Sequence, residues 1–95
     1  METSPLINQV FGDHLRSARK AVQLTQEELA FRAELDRTYI SLLERGMKSP
    51  TLTTFFRLCS VLDLQPDLFL ARIHKEVVAQ EQERSHGKED NEKGQ

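Results

Sequence analysis

The sequence predicts an all-α fold of five short helices followed by a polar tail. Apolar residues recur at spacings of three or four in five separate segments, the pattern of helices that bury one face. Serine, threonine, aspartate, proline or glycine bounds each segment, and these residues start or end helices. No stretch of useful length alternates apolar and polar residues, so no sheet is expected.

The first two helices are predicted from their N-terminal residues. Ser4 is a favoured N-cap and Pro5 fits the first helical position, so helix 1 should run over residues 6–21. Its inward residues are Ile7, Phe11, Leu15, Ala18 and Val22. Residues 25–28 have the form of a capping box, in which Thr25 and Glu28 satisfy each other's backbone N–H. Helix 2 should then run to about Ala33.

The remaining helices follow from similar signals. Asp36 is a favoured N-cap, so helix 3 should run from Arg37 to Arg45 and stop at Gly46. After a break at residues 49–51, helix 4 should run over 52–62 and bury Leu52, Phe55, Leu58, Cys59 and Leu62. Helix 5 starts near Pro66. The chain is polar from residue 80, which predicts a domain over 1–79 and a frayed or disordered tail over 80–95.

Helix 3 has two different faces. Residues advance by about 100° in an α-helix, so an inward Ile40 places Leu43 inward and Glu44 near that side. The opposite side carries Thr38, Ser41, Leu42 and Arg45, with Arg37 at the exposed first turn. Arginine bonds guanine bidentately and hydroxyls contact base edges or phosphates, so this face suits the major groove of DNA. Only a few residues separate helices 2 and 3, which predicts a helix-turn-helix.

The distribution of charge removes an objection to DNA binding. The chain carries a net charge of −2. Residues 76–95 hold six acidic and three basic residues, whereas residues 1–75 hold nine acidic and ten basic residues. The negative charge therefore belongs to the tail, and the body of the protein is nearly neutral.

Several other classes of protein are not indicated. Cys59 is the only cysteine, so the chain has no intramolecular disulfide, which suits a reducing cytoplasm. No apolar run approaches the roughly 18 residues of a membrane span. His14, His74 and His86 are widely separated and do not suggest a metal site. No phosphate-binding loop or nucleophile–base pair is recognisable, so neither a cofactor nor an enzymatic activity is predicted.

The run LTQEELAFRAELDRTYISLLERGMKSPTLTTFFRLCSVLDL resembles the Cro/repressor-type, or XRE, helix-turn-helix family of bacterial and phage regulators. The marks of the family are LTQEELA, YIS, LERG and PTL, in that order. The string LDRTYIS is also similar to the controller proteins of restriction–modification systems. The resemblance covers about residues 11–70 and implies a lambda-repressor-like five-helix domain that binds double-stranded DNA.

The resemblance also implies roles for individual residues. The base-reading positions are Arg37, Thr38, Ser41 and Leu42, and the positions that contact the DNA backbone are Gln26, Tyr39, Arg45, Lys48 and Ser49. Tyr39 has an alternative role as a half-buried structural residue, and Leu42 as an ordinary exposed leucine. Arg19 and Glu44 match a structural ion pair between helices 1 and 3. The sequence departs from the family at Glu34 and Asp63, where glycine is usual.

Helix 5 carries more apolar residues than a core of this size requires. A contact between two copies through Leu68, Leu70, Ile73 and Val77 would explain the surplus. The alternative is that Leu6, Ile7 and Val10 of the same chain cover them. A dimer would read a palindromic operator with two recognition helices about one DNA turn apart.

The predicted function is a sequence-specific, homodimeric transcription regulator of the cytoplasm. The alternative hypothesis is an antitoxin or protein-interaction module whose DNA binding is autoregulatory, with a partner protein such as a toxin.

Overall fold

The structure, a computed structural model, describes the backbone of residues 3–93 and the side chains of residues 5–83. Five helices follow one another: α1 (Thr3–Ala21), α2 (Gln26–Ala33), α3 (Arg37–Glu44), α4 (Leu52–Val61) and α5 (Pro66–Lys93). Within residues 3–93 no segment forms a strand. The prediction of an all-α, five-helix fold is therefore confirmed.

Short polar side chains begin α2 and α4. The Thr25 hydroxyl accepts from the backbone N–H of Glu28 at 3.0 Å, and the Glu28 carboxylate accepts from the Thr25 N–H at 2.9 Å. These two bonds complete the predicted capping box and lower the pKa of Glu28. Thr51 caps α4 by accepting from the backbone N–H of Thr54. Asp36 occupies the N-cap of α3 as predicted, but its side chain makes no capping hydrogen bond.

The first four helices end in one shared hydrogen-bond pattern. After α3, the N–H of Met47 donates to Leu42 at 2.9 Å and the N–H of Gly46 to Leu43 at 3.1 Å, which is a Schellman motif. The pivotal residue of this motif has a positive φ, and here it is Gly46 at 74°. The corresponding residues after α1, α2 and α4 are Gln23 (60°), Glu34 (58°) and Asp63 (55°). Glu34 and Asp63 thus hold left-handed conformations where the family resemblance expects glycine.

One apolar core joins all five helices. Its most buried members include Val10, Leu15, Leu29, Ala33, Ile40, Leu43, Leu58 and Cys59. Three phenylalanine rings connect α1, α4 and α5, since Phe11, Phe55 and Phe69 have centroids 6.0–6.5 Å apart. The core therefore lies between α2 and α3 on one side and α1, α4 and α5 on the other.

Four predictions about the first four helices are wrong. Ile7, which was expected to face inward from helix 1, is 42% exposed. Leu52 is 72% exposed instead of buried, because it is the first residue of α4 and follows the Thr51 cap directly. Val22 is 46% exposed because α1 ends at Ala21, and the helical spacing no longer applies beyond that residue. The helix also begins at Thr3, so Ser4 lies inside its first turn and is not the N-cap.

The apolar residues of α5 divide between two environments. Ile73 and Val77 are only 4% and 7% exposed, because they belong to the core of the same chain, against which α1 packs. Cover from the same chain, the alternative considered, therefore applies to these two residues, and the contact with a second copy stays a prediction. Leu68 and Leu70 remain 56% and 54% exposed.

The predicted domain boundary at residue 79 does not coincide with the end of a helix. α5 continues as one helix to Lys93, where the sequence predicted a frayed or disordered tail. Glutamate, glutamine, lysine and arginine dominate this segment and are good helix formers, so composition alone does not stop the helix. The amide of Gln80 also donates to Glu76 at 2.9 Å across the predicted boundary. Residues 94–95 lie outside the described backbone.

Gly12 allows α1 to approach the end of α3. A Cβ atom at this position would lie 2.5 Å from the carbonyl oxygen of Leu43 and 2.7 Å from that of Glu44. Both neighbours are backbone atoms, so rotation of a side chain does not relieve the clash. The close contact between these helices thus depends on the missing side chain of Gly12.

A buried ion pair joins the same two helices. The Arg19 guanidinium donates to both carboxylate oxygens of Glu44, with distances of 2.7 Å from Nε and 3.0 Å from Nη2. Its Nη1 donates to the carbonyl of Leu24 at 2.8 Å, in the connection to α2. Arg19 and Glu44 are 8% and 5% exposed, and the bonds to Glu44 raise the pKa of Arg19. This is the pair that the family resemblance implied.

We expect Gly12→Ala to destabilise the protein by about 2 kcal/mol and to lower Tm by roughly 10 °C. Alanine improves helix propensity by about 1 kcal/mol, but the clash with two backbone carbonyls outweighs this gain. Thermal unfolding measures the effect, and Ser17→Ala on the exposed side of α1 serves as the control. A Gly12→Ala variant as stable as the wild type would contradict the assigned role of this glycine.

We expect Arg19→Met to destabilise the protein by about 3–5 kcal/mol, because it leaves the Glu44 carboxylate buried without a cation. The double variant Arg19→Met/Glu44→Leu removes both charges and should be more stable than the single variant. Urea unfolding of both variants tests this order of stability.

The more exposed pair of His14 and Glu76 supplies a control for this measurement. Its side chains are 24% and 40% exposed, so Glu76→Gln should cost only about 1 kcal/mol or less. Equal losses in Glu76→Gln and Arg19→Met would show that burial does not govern the Arg19–Glu44 pair.

Candidate DNA-binding surface

The turn between α2 and α3 determines how the two helices meet. Only Glu34, Leu35 and Asp36 separate them. The N–H of Leu35 donates to Ala30 at 2.8 Å, while the Leu35 side chain packs against the core. A backbone bond and an apolar anchor therefore fix this turn, which gives the compact helix-turn-helix that the sequence predicted.

The inward side of α3 is fully anchored. Ile40 and Leu43 have no exposed surface, and Glu44 is held by Arg19. Tyr39 is half-buried and packs against the core, so its ring also helps to seat the helix. This packing supports the structural role considered for Tyr39 and leaves its contact with DNA as a prediction.

The outward side of α3 displays the residues predicted to read bases. Arg37 and Thr38 are exposed at its first turn, whereas Ser41 and Leu42 are half-buried further along. Arg45 is exposed directly after the last helical residue. The structure thus brings four of these residues to one helix and Arg45 to its C-terminal end, so the two arginines lie at opposite ends of α3.

Gln26 connects the beginning of α2 to the buried ion pair. Its side-chain amide donates to Glu44 Oε1 at 3.0 Å, so Glu44 accepts from both Arg19 and Gln26. Sequence reasoning gave Gln26 a contact with the DNA backbone and did not predict this bond. An amide has two N–H groups, and the half-buried Gln26 keeps a second donor.

The segment after α3 carries two further predicted contacts. Lys48 and Ser49 are exposed just beyond the Gly46 turn. A Cβ atom at Gly46 would lie 2.9 Å from the Gln9 side chain and 3.1 Å from its Cα, so α1 supports this turn closely. The direction in which the chain leaves α3 is therefore restrained.

The cations of this surface are available to a ligand. In the described part of the chain, salt bridges form only between Arg19 and Glu44 and between His14 and Glu76. Arg37, Arg45 and Lys48 consequently have no acidic partner among those residues. Glu34 and Asp36 are exposed in the preceding turn and carry the opposite charge. The positive charges favour a bound anion near α3, whereas the two carboxylates disfavour one near the turn.

Other kinds of site receive no support from the described residues. They contain no cluster of histidine, cysteine and acidic side chains suited to a metal ion. None of their helices combines the length and apolar character needed to cross a membrane. Burial raises the pKa of the Cys59 thiol, which keeps it protonated near neutral pH and unsuited to nucleophilic chemistry.

Sequence reasoning missed two residues that position α3. Gly12 permits close contact with the end of α3, and Gln26 bonds its last carboxylate. A glycine inside an amphipathic helix is a recognisable signal of close packing, because it costs helix stability. No sequence signal distinguishes a Gln26 that bonds Glu44 from one that faces solvent.

Comparison with known proteins agrees with this geometry. A family model described as helix-turn-helix matches residues 15–69. Control protein C.BamHI of Bacillus amyloliquefaciens is 38% identical over 61 residues, which cover 63% of this chain and 75% of that protein. The restriction–modification controller protein C.AhdI of Aeromonas hydrophila has a similar structure, with 39% identity and a TM-score of 0.63 over 65% of this chain and 94% of that one.

A further solved structure contains DNA. The restriction–modification controller protein C.Esp1396I, a tetramer in complex with its natural 35 base-pair operator, has a TM-score of 0.68 and 28% identity. The match covers 76% of this chain and 95% of that one. The family model thus matches more than half of this chain, and the C.Esp1396I protein, which has the same fold, binds operator DNA. This chain belongs to the helix-turn-helix family of regulators that its sequence resembles.

Proposed function

We propose that this protein is a transcription regulator that binds a palindromic operator as a homodimer and inserts α3 into the major groove. The observation that carries the proposal is the outward face of α3. It presents two arginines and two hydroxyls on a helix whose other face is fixed by the core and by a buried ion pair. Related controller proteins, one of them bound to its operator, support the same function.

The base-reading residues are proposed to be Arg37, Thr38, Ser41 and Leu42. Arg37 has the length and exposure to reach a guanine edge, where a bidentate contact discriminates one base pair from the others. The hydroxyls of Thr38 and Ser41 serve base edges or nearby phosphates. Leu42 offers an apolar surface to a thymine methyl group.

The backbone contacts are proposed to be Gln26, Tyr39, Arg45, Lys48 and Ser49. They surround the base-reading face and set the position of the domain on the duplex without reading sequence. The second amide donor of Gln26 would bind a phosphate oxygen, while its first donor remains on Glu44. A phosphate contact would thus orient α2 and α3 together.

A homodimer follows from the small number of contacts that each domain offers. One α3 spans few base pairs, and the body of the protein carries little positive charge for non-specific attraction. Two copies related by a two-fold axis double the contacts and read two half-sites about 34 Å apart.

The alternative of an antitoxin or interaction module is not favoured, because these relatives are named as control and controller proteins. Operator binding would place the protein in the bacterial cytoplasm.

We expect Arg37→Ala to weaken operator binding by about 10- to 150-fold and to relax the preference at one base pair in each half-site. Selection of bound DNA from a random pool identifies the operator, and fluorescence anisotropy then measures its affinity. Arg72→Ala removes an exposed arginine of α5 and should leave both affinity and preference unchanged. Equal losses on operator and random DNA would make Arg37 a phosphate contact instead of a base-reading residue.

A further inference from the structure

Asp36 begins α3 with its backbone but not with its side chain. Its carbonyl accepts from the N–H of Ile40 at 3.1 Å, which is the first hydrogen bond of the helix. Thr25 and Thr51, the corresponding residues of α2 and α4, also accept a backbone N–H through their side chains, at 3.0 and 3.1 Å. The Asp36 side chain makes no such bond. Its carboxylate therefore remains available to another partner.

The Asp36 carboxylate is also exposed and without a cation. Neither of the two salt bridges among the described residues includes it. The backbone of Asp36 is extended, with φ −79° and ψ 139°, so the residue does not follow the helical register. Ile40, four positions later, is fully buried, whereas Asp36 reaches solvent. Two free acceptor oxygens thus lie at the same end of α3 as Arg37 and Thr38.

The end of α3 that carries this carboxylate is the end that approaches base edges. A recognition helix of a helix-turn-helix contacts bases with its N-terminal residues, which on α3 are Asp36, Arg37 and Thr38. A carboxylate in this place cannot bond a phosphate, because both groups are acceptors and carry negative charge. The donors that the major groove offers are the amino groups of cytosine and adenine.

The atoms beside each amino group favour cytosine over adenine as the partner of a carboxylate. The adenine amino group lies between two acceptors, N7 of the same base and O4 of the paired thymine, and both repel a carboxylate. The cytosine amino group has an acceptor on one side only, the O6 atom of the paired guanine. An arginine that bonds this guanine, as proposed for Arg37, neutralises that acceptor.

We propose that Asp36 is a specificity-determining residue whose carboxylate accepts from the amino group of a cytosine, in or next to the base pair that Arg37 reads. The proposal rests on the proposed function and adds a residue to its base-reading face. Asp36 and Arg37 then read complementary features, a donor of cytosine and the acceptors of guanine. On other sequences the carboxylate lies near phosphates without a donor, which disfavours binding.

Asp36→Asn separates base reading from a role in starting the helix. Asparagine and aspartate are comparable N-cap residues, so heat unfolding should give nearly the same Tm for the variant and the wild type. The amide carries a donor beside its acceptor, a pair that matches N7 and N6 of adenine. Selection from random DNA should therefore shift the preference at one position of each half-site from cytosine towards adenine. We expect the ratio of cytosine to adenine there to fall by at least about 5-fold.

Glu34→Gln supplies a matched control from the same turn. Glu34 is exposed, lies two positions before Asp36 and loses the same charge through an equally conservative change. Glutamine tolerates its positive φ, since Gln23 holds the same conformation in this chain. The Glu34→Gln variant should select the wild-type operator, with every base preference within about 2-fold of the wild type. Both variants lose one negative charge and should bind random DNA more tightly by a similar factor.

The assignment of Asp36 and the proposed function fail in different measurements. A wild-type operator with the same base preferences in Asp36→Asn, or with an equal change in Glu34→Gln, would overturn the role of Asp36 and leave the function standing. So would a lowered Tm with a loss of all sequence preference in Asp36→Asn, which would make Asp36 a structural residue. A wild-type protein that selects no sequence from random DNA would reject the proposed function itself.

Discussion

The buried pair of Arg19 and Glu44 is the interaction on which the position of α3 depends. Hydrophobic contacts hold Ile40 and Leu43 against the core, but the hydrophobic effect itself has no direction. The Arg19 guanidinium adds directional bonds, because its planar donors bond two oxygens of Glu44 and a backbone carbonyl between α1 and α2. Gln26 adds a bond from α2 to the same carboxylate. Residues of α1 and α2 thus both bond the buried carboxylate of Glu44, at the end of α3.

The short connections between helices impose a second constraint on the same geometry. Each of the first four helices ends in a residue with positive φ, and only Gly46 adopts this conformation without strain. At Gln23, Glu34 and Asp63 the left-handed conformation costs about 1 kcal/mol or more of stability each. Apolar residues follow them directly and pack on the core, so tertiary burial offsets the strain. The result is a set of tight turns that leave little freedom in the angles between helices.

Local chemistry made most of the helix boundaries and the inward side of α3 predictable from the sequence. The Thr25 capping box, the Gly46 stop and the inward Ile40 all depend on residues within a few positions of one another. The environment of α5 was not predictable, because helical spacing shows that Ile73 needs an apolar neighbour but not which chain provides it. Leu52 was misjudged for a related reason, since its neighbours are set by packing at the start of α4. The role of Gly12 was not predictable either, because the backbone carbonyls close to it belong to another helix.

The distribution of charge around α3 bears on the strength of DNA binding. Arg37, Arg45 and Lys48 are concentrated around α3, whereas Glu34 and Asp36 lie in the turn before it. A single domain with so few cations releases few counterions when it binds, so its affinity for any DNA should be modest. Pairing two domains on a palindromic operator would double these contacts. Occupancy of the operator would then rise steeply with protein concentration, because two protomers bind each operator.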